Sequence, residues 1–339
     1  MGEKFQPRPA SELKDRYDTV IIGSGGAGLT AAIQAHELGL SAVVLEKEEG
    51  LGGNTNRASS GMNAAETNVQ LKHGVIDNVG SFYRETYQDG GRLNDKDLLG
   101  YFVHHSALAI DWLADHDIKL EDVTITGGMS VMRTHRPASL APIGGFLVNE
   151  LLRVVGQQGI PVFNQTKVTK LLKDDQGTVN GVEVQTTAGT KTIAANSVIL
   201  ATGGFGASKE YMKRYRPDLV DYKTTNQPGA TGDGLKLGED VGAQLVQMDL
   251  IQVHPTVQQD NPHVYLIGEV VRGEGAILVN AKGQRFVNEL NTRKIVSNAI
   301  TALPEHSAYL IFDQGIRDRA KAVDFYDKVG LVVSGNTIE

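Results

Sequence analysis

The period of hydrophobic positions changes several times along the first 200 residues. Thr19 to Ile22 is a short β-branched run, Ala27 to Leu38 is competent to form a helix, and Ala42 to Leu45 is a second apolar run. That order predicts strand, helix, strand, a βαβ unit. From Asn94, an expected N-cap with Asp97 in the first turn, apolar residues recur at Leu98, Leu99, Phe102, Val103, Ala109, Ile110 and Leu113. An amphipathic helix is expected there. Between Pro161 and Leu200 the pattern shortens to alternating strands, with Val182 and Val184 directed to one face. Turn signals at Asp175-Gln176-Gly177, Asn180-Gly181 and Ala188-Gly189 make it an antiparallel meander. It runs into Ser197 to Ala201, apolar enough to predict burial on both faces, and stops at Thr202-Gly203-Gly204. A softer change near Met248 divides the chain into an expected first domain, 1–248, and a second, 249–339.

Length supports two domains, since 339 residues exceed the ~250–300 at which single cores stop growing. The 39 glycines lie well above the roughly 7% norm, so many tight turns or close backbone approaches follow. With 33 basic and 40 acidic side chains the net charge is −7, the wrong sign for neutralising phosphate backbones, and nucleic acid is not an expected partner. No cysteine is present, which excludes thiolate-held clusters, disulfides and thiol nucleophiles. Redox chemistry here needs a bound organic cofactor. No apolar run approaches the ~18–20 residues of a membrane helix, and Met1 to Asp18 is polar with Pro7 and Pro9, so a cytoplasmic protein without a membrane segment is expected. His104, His105, His116, His135, His263 and His306 show no metal-ligand spacing, and no metal is expected.

Gly23-Ser24-Gly25-Gly26-Ala27-Gly28 follows the first strand and opens the helix. The glycines permit a tight turn, close approach to a pyrophosphate and close helix–sheet packing, while the helix N-terminus faces the phosphates. Glu46, 18 residues after Gly28, ends the second strand where an acid binds ribose hydroxyls. Lys47 can touch the same cofactor or remain a solvated surface lysine.

The continuation through Gly52-Gly53-Asn54 and Ser59-Ser60-Gly61-Met62-Asn63 makes the likeness specific. With Val20-Ile21-Ile22-Gly23 and Val44-Leu45-Glu46-Lys47, these residues resemble the fumarate reductase and succinate dehydrogenase flavoprotein family, especially its soluble flavocytochrome-type branch. The resemblance implies an α/β fold: a Rossmann-like FAD-binding domain with an antiparallel β-meander insertion, plus part of an α+β capping, or clamp, domain. It implies non-covalent FAD, with Gly53, Asn54, Ser59, Ser60 and Gly61 along the flavin and the backbone of Val168 on the adenine side. Thr202-Gly203-Gly204 and Thr231-Gly232-Asp233-Gly234 match further FAD contacts of that family. Asp233 can accept hydrogen bonds from the cofactor, or act only as the N-cap of the next helix. Arg133-Thr134-His135-Arg136-Pro137 also resembles a family segment near the flavin and is assigned no chemistry.

Three later segments match family motifs in order: Gln252 to Thr256, Gly268 to Gly273, and Phe286 to Arg293. By that matching His254 binds a substrate carboxylate, with Gly61, Glu269 and Arg293 also at the substrate. Arg293 protonates the double bond, and Glu269 with Arg272 relays the proton. Such a reduction needs hydride at one alkene carbon and a proton at the other. Arginine, with a pKa above ~12, is a poor donor to ordinary bases, but a developing carbanion is basic enough and the guanidinium stabilises its charge. Taken singly, these residues read equally as an interior histidine, an ion pair and a surface cation.

The implied function is FAD-dependent reduction of fumarate, a small dicarboxylate, with electrons from an unidentified external donor. Gly268 departs from the hydroxyl residue usual before that glutamate, and Ser59 and Ser60 replace smaller residues. Relatives continue well beyond Glu339, so the chain is expected to be C-terminally incomplete. The alternatives are another enzyme of the superfamily, acting on a urocanate-like substrate, aspartate or a ketosteroid, or a truncated flavin-binding remnant without turnover.

Overall fold

A computed structural model describes residues 5–126, 128–138, 141–258 and 264–335. Strand β1 (Arg16–Ile22) forms the centre of the main sheet, with Val20 and Ile21 fully buried as its β-branched run requires. Helix α1 (Gly26–Glu37) follows, packing Leu29, Ala32 and Ile33 into the core, and β2 (Ala42–Leu45) is buried throughout. Thr19 lies opposite Ala42 and Ile22 opposite Leu45 in parallel register, so the expected βαβ unit is present.

Strands β3 (Val162–Phe163), β4 (Lys167–Lys173), β5 (Val179–Thr186) and β6 (Gly189–Leu200) complete a sheet of order β3-β2-β1-β6-β5-β4. β3 and β6 are parallel to their neighbours β2 and β1, whereas β4, β5 and β6 form the antiparallel meander. Val182 and Val184 are both fully buried, as the alternation predicted. Gly177 and Gly189 take positive φ at the two hairpin turns.

Four expectations change. Asn180-Gly181 is no turn: Gly181 sits within β5, where a Cβ would come 2.5 Å from the Ile193 carbonyl oxygen. The glycine serves close strand approach instead. The run ending at Ala201 is not buried on both faces, since Ile199 and Leu200 are 37% and 43% exposed. Leu200 lies against Gly238 of the helix Asp233–Asp240, which has no side chain there to cover it. The amphipathic helix spans Lys96–Asp115, and its cap is Asp95, whose carboxylate accepts the Leu98 N–H at 2.8 Å. Asn94 is held back against Gly90, which leaves the next residue to cap. Its buried stripe is Leu99, Val103, Ser106, Ile110 and Leu113, while Leu98 and Phe102 are exposed.

Beyond the sheet, Met62–Asn63, Asp122–Thr124 and Thr134–Arg136 make a small antiparallel sheet. Two further clusters, one around Val271, Ile316, Val323 and Tyr326 and one of Leu278, Val296 and Ile300, draw their buried residues from beyond position 249.

Candidate active site

The fingerprint lies at the carboxyl ends of β1 and β6, the place where ligands bind in open α/β sheets. Gly23 turns with φ +110°, and a Cβ there would lie 2.4 Å from the Ala201 carbonyl oxygen. A Cβ on Gly28 would lie 1.9 Å from the Gly23 oxygen, so helix and strand touch through bare backbone. Gly25 is the side-chain-free N-cap of α1, Ala27 is exposed in its first turn, and the Gly26 N–H donates to Thr55 Oγ1 at 2.9 Å. On the β6 side, Gly203 and Gly204 are exposed, with open space where a Cβ would point. Thr202 packs its hydroxyl against Gly234, joining this turn to the helix Asp233–Asp240. Partly exposed glycine backbone after β1 and exposed glycine backbone after β6 make a surface that an extended diphosphate fits.

Glu46, at the end of β2, is 8% exposed and accepts from the Ser24 N–H (3.0 Å), the Ser24 hydroxyl (2.6 Å) and the Glu48 N–H (3.0 Å). These bonds fix the carboxylate in place; with about four lone-pair sites, three of them used, it can accept one further hydroxyl. Lys47 is not a solvated surface lysine: its Nζ reaches Thr231 Oγ1 at 2.6 Å and Asp233 Oδ2 at 3.1 Å. Asp233 is not the N-cap of its helix either, because Gly232, with φ +82°, holds that position. Burial pushes the Asp233 carboxyl up, but hydrogen bonds from Thr231, Lys47 and Lys167 outweigh it and hold the group below the usual carboxylate range.

Gly52 and Gly53 turn with positive φ, and Asn54 is tied to Asn226 and to the Gln227 N–H. Ser59 and Ser60 are exposed and use their carbonyls, toward Arg136 and the Ile143 N–H. Gly61 must be glycine, since a Cβ would come 2.3 Å from the His135 carbonyl oxygen. Val168 buries its side chain in the core on edge strand β4, so only its backbone can face a ligand. In the small sheet, His135 is fully buried between Thr67 Oγ1 and the Arg133 carbonyl, and Arg133 is forked onto Asp77 at 2.7 Å and paired with Glu85. Both side chains are committed to partners inside the fold.

The three later motifs converge. His254 Nε2 lies 3.1 Å from Glu269 Oε1, and the same oxygen accepts from Arg293 Nε. Arg293 Nη1 donates to Gln252 Oε1, closing the cluster back onto the histidine's own segment. Glu269 begins the helix Glu269–Gly273 and Arg293 begins the helix Arg293–Thr301, capped by the Thr292 hydroxyl. The Thr256 backbone offers His254 Nδ1 both an N–H at 3.3 Å and a carbonyl at 3.1 Å, so either ring state finds a partner. Burial raises the Glu269 carboxyl, but hydrogen bonds from His254 and Arg293 and their charge hold it far below the usual range. It is ionised at neutral pH.

Arg272 stands within electrostatic reach of Glu269 and Arg293 without being hydrogen-bonded to either. It is 3% exposed and donates Nη1 to the Glu289 carbonyl at 2.7 Å, with no hydrogen bond to Glu269; its Nε and Nη2 are buried without partners among the described residues. Burial lowers its pKa. Glu289, which sequence reasoning passed over, organises this corner. Its carboxylate accepts the Leu278 N–H at 2.8 Å and the Arg285 fork at 2.9 and 2.7 Å. Thr55 and Gln252 were also missed; Gln252 was legible as the polar residue two before His254, but Thr55 reaches Gly26 only through tertiary folding.

Among the described residues no group of three or more His, Asp or Glu side chains could hold a metal; His263 lies outside those residues. His104 and His105 are exposed and bond the carbonyls four residues back.

A family profile described as "FAD binding domain" matches residues 18–324. The chain belongs to this FAD-binding family. Its relatives in the family include the NADH:fumarate oxidoreductase of Klebsiella pneumoniae, 48% identical over 322 residues, and the fumarate reductase (cytochrome) of Shewanella frigidimarina, 40% identical over 330. The alignments cover 95% and 97% of this chain but 34% and 57% of those proteins, so the chain spans about a third to somewhat over half of their length. A solved structure titled as the open conformation of a flavocytochrome c3 fumarate reductase superposes with TM-score 0.86 at 36% identity, covering 97% of this chain and 58% of that one. An α/β FAD-binding fold and FAD as cofactor therefore hold for this chain. No helix among the described residues is long and apolar enough to cross a membrane.

Proposed function

We propose that this chain belongs to an FAD-dependent oxidoreductase that reduces the C=C bond of fumarate to succinate. The observation that carries the reading is the assembly of His254, Glu269, Arg293 and Gln252 from three separate segments into one hydrogen-bonded group. Bound FAD supplies the hydride for one alkene carbon. The residues that would hold it are Gly23, Gly25, Gly26, Ala27 and Gly28 at the diphosphate, Glu46 at ribose hydroxyls, and Gly53, Asn54, Ser59, Ser60 and Gly61 along the ring. Thr202, Gly203, Gly204 and the Val168 backbone would lie on the other flank. Lys47 and Asp233, bonded to each other, would border the site as a pair.

His254 binds one substrate carboxylate, and Arg293 holds a proton toward the second alkene carbon. With Glu269 ionised, Arg272 and Arg293 leave the cluster net positive, the sign a dianion requires. The Arg293–Glu269 contact supports the last, substrate-side step of a proton relay. Arg272, with two buried nitrogens unpartnered among the described residues, is available for the step that feeds Glu269. The relatives' names support the substrate class, and the urocanate reductase of Eggerthella lenta, 33% identical, marks the alternative. An external electron donor, a division at 248/249 and a cytoplasmic location belong to the same proposal; the separate apolar clusters beyond 249 support the division.

The test is oxidation of a reduced dye by the FAD-loaded protein on adding fumarate. Arg293→Ala is expected to lower kcat about 10²–10⁴-fold at unchanged flavin content, the span of general acid catalysis. Equal rates with and without the guanidinium would remove Arg293 from the mechanism.

A further inference from the structure

Tyr326 lies on the short helix Ala322–Lys328, is 9% exposed, and packs with Val271, Ile316 and Val323 and against the Phe325 ring. Its Oη accepts the Gly268 N–H at 2.9 Å. A phenol that accepts one hydrogen bond still has a proton to give, and no acceptor for it occurs among the described residues. Gly268 directly precedes Glu269, and a Cβ built at 268 would stand 3.6 Å from the phenol oxygen, in ordinary contact. The hydroxyl therefore stands in contact with the place where a side chain at 268 would begin. Burial first, and the Glu269 carboxylate as well, push the phenol up, so it is a protonated donor at neutral pH.

We propose that Tyr326 is a substrate-contacting residue, its oxygen oriented by the Gly268 N–H and its O–H donated to a carboxylate of the dicarboxylate held beside His254 and Glu269. The assignment rests on the reading that this cluster takes a dicarboxylate. It makes the helix Ala322–Lys328, which carries no other polar group of the cluster, part of the specificity of the site. It also explains why a glycine is suited to 268: a larger side chain would compete with the substrate for the same hydroxyl.

Succinate binding by calorimetry and fumarate-dependent dye oxidation, measured side by side on the FAD-loaded protein, test it. Tyr326→Phe keeps the ring in its core and removes the hydroxyl. It is expected to weaken succinate binding and raise the fumarate KM by about tenfold, with kcat within about twofold and flavin content unchanged, the cost of one hydrogen bond to a charged group. Adding Gly268→Ser to Tyr326→Phe supplies a hydroxyl beside the lost one and is expected to recover most of the affinity. A role confined to pinning the Gly268 N–H would instead lower the melting temperature with succinate affinity unchanged, and that result overturns the proposal. If wild type binds succinate in a Tyr326-dependent way yet oxidises no dye with fumarate, the contact stands and only the reduction reading fails.

Discussion

Around Gly23 to Gly28 the backbone itself makes the surface, and tolerance is steric: a Cβ on Gly28 would sit 1.9 Å from a carbonyl oxygen that cannot move without breaking β1 from α1. Around His254, Glu269 and Arg293 the surface is made of side chains from three segments, and the Glu269 and Arg293 side chains are 38% and 42% exposed. There tolerance is electrostatic and graded, because solvent screens each pair. The cradle is fixed before any ligand arrives, while the cluster keeps its polar atoms on one another in arrangements that a substrate must partly replace. A fixed cradle suits a cofactor that stays. An exchangeable cluster suits a substrate that comes and goes.

Gly28→Ala breaks the first region most severely. Overpacking alone destabilises by about 1–3 kcal/mol, and this contact is backbone on backbone, so about 3 kcal/mol or more and loss of flavin are expected together in thermal unfolding and absorbance. Gly204→Ala, where a Cβ meets nothing within 4 Å, is the control within the same cradle. It is expected to stay within about 0.5 kcal/mol of wild type in stability, and to retain less flavin.

Glu289→Gln probes the support of the second region. The Arg285 fork, outweighing burial, holds the Glu289 carboxyl at about 2 against an ordinary 4.5. Because the folded pKa is depressed, the stabilisation is complete above the ordinary value and is lost as pH falls through 4 toward 2. The variant is expected to cost about 1–2 kcal/mol at pH 7, and its melting temperature should converge on that of wild type at about pH 3. Parallel curves across that pH range would show that the pair contributes nothing.

What could be read from the chain follows the same division. The cradle was legible because glycine spacing and β-branched runs act locally: β1, α1, β2 and the meander stand where the pattern puts them. The motif order also brought out His254, Glu269 and Arg293, which meet in space. Pairings made by tertiary folding stayed hidden. Arg272 turns to the Glu289 carbonyl rather than to Glu269, Lys47 finds Asp233 across 186 residues, and Tyr326 reaches Gly268 from a helix 58 residues on. Local signals also misplaced what packing decides: Asn180-Gly181 carries a turn signature, yet its glycine is spent on letting two strands approach.

A further probe, with a modest expected effect, is a side chain that reaches into the cradle. Thr55 donates no backbone of its own to the fingerprint, but its hydroxyl accepts the Gly26 N–H at 2.9 Å and so caps an α1 terminus whose own N-cap, Gly25, has no side chain. Thr55→Val keeps the methyl against Gly26 and deletes the cap. Cap losses cost about 0.5–2 kcal/mol, so about 1 kcal/mol is expected in the flavin-free protein. The amide left unpaired is one that a diphosphate at the helix N-terminus can take up, so the deficit should shrink when FAD is added. Melting temperatures of the variant with and without FAD read this directly. An equal deficit in both states would mean that Thr55 keeps the amide throughout and that the phosphates are held by the remaining glycine backbone alone.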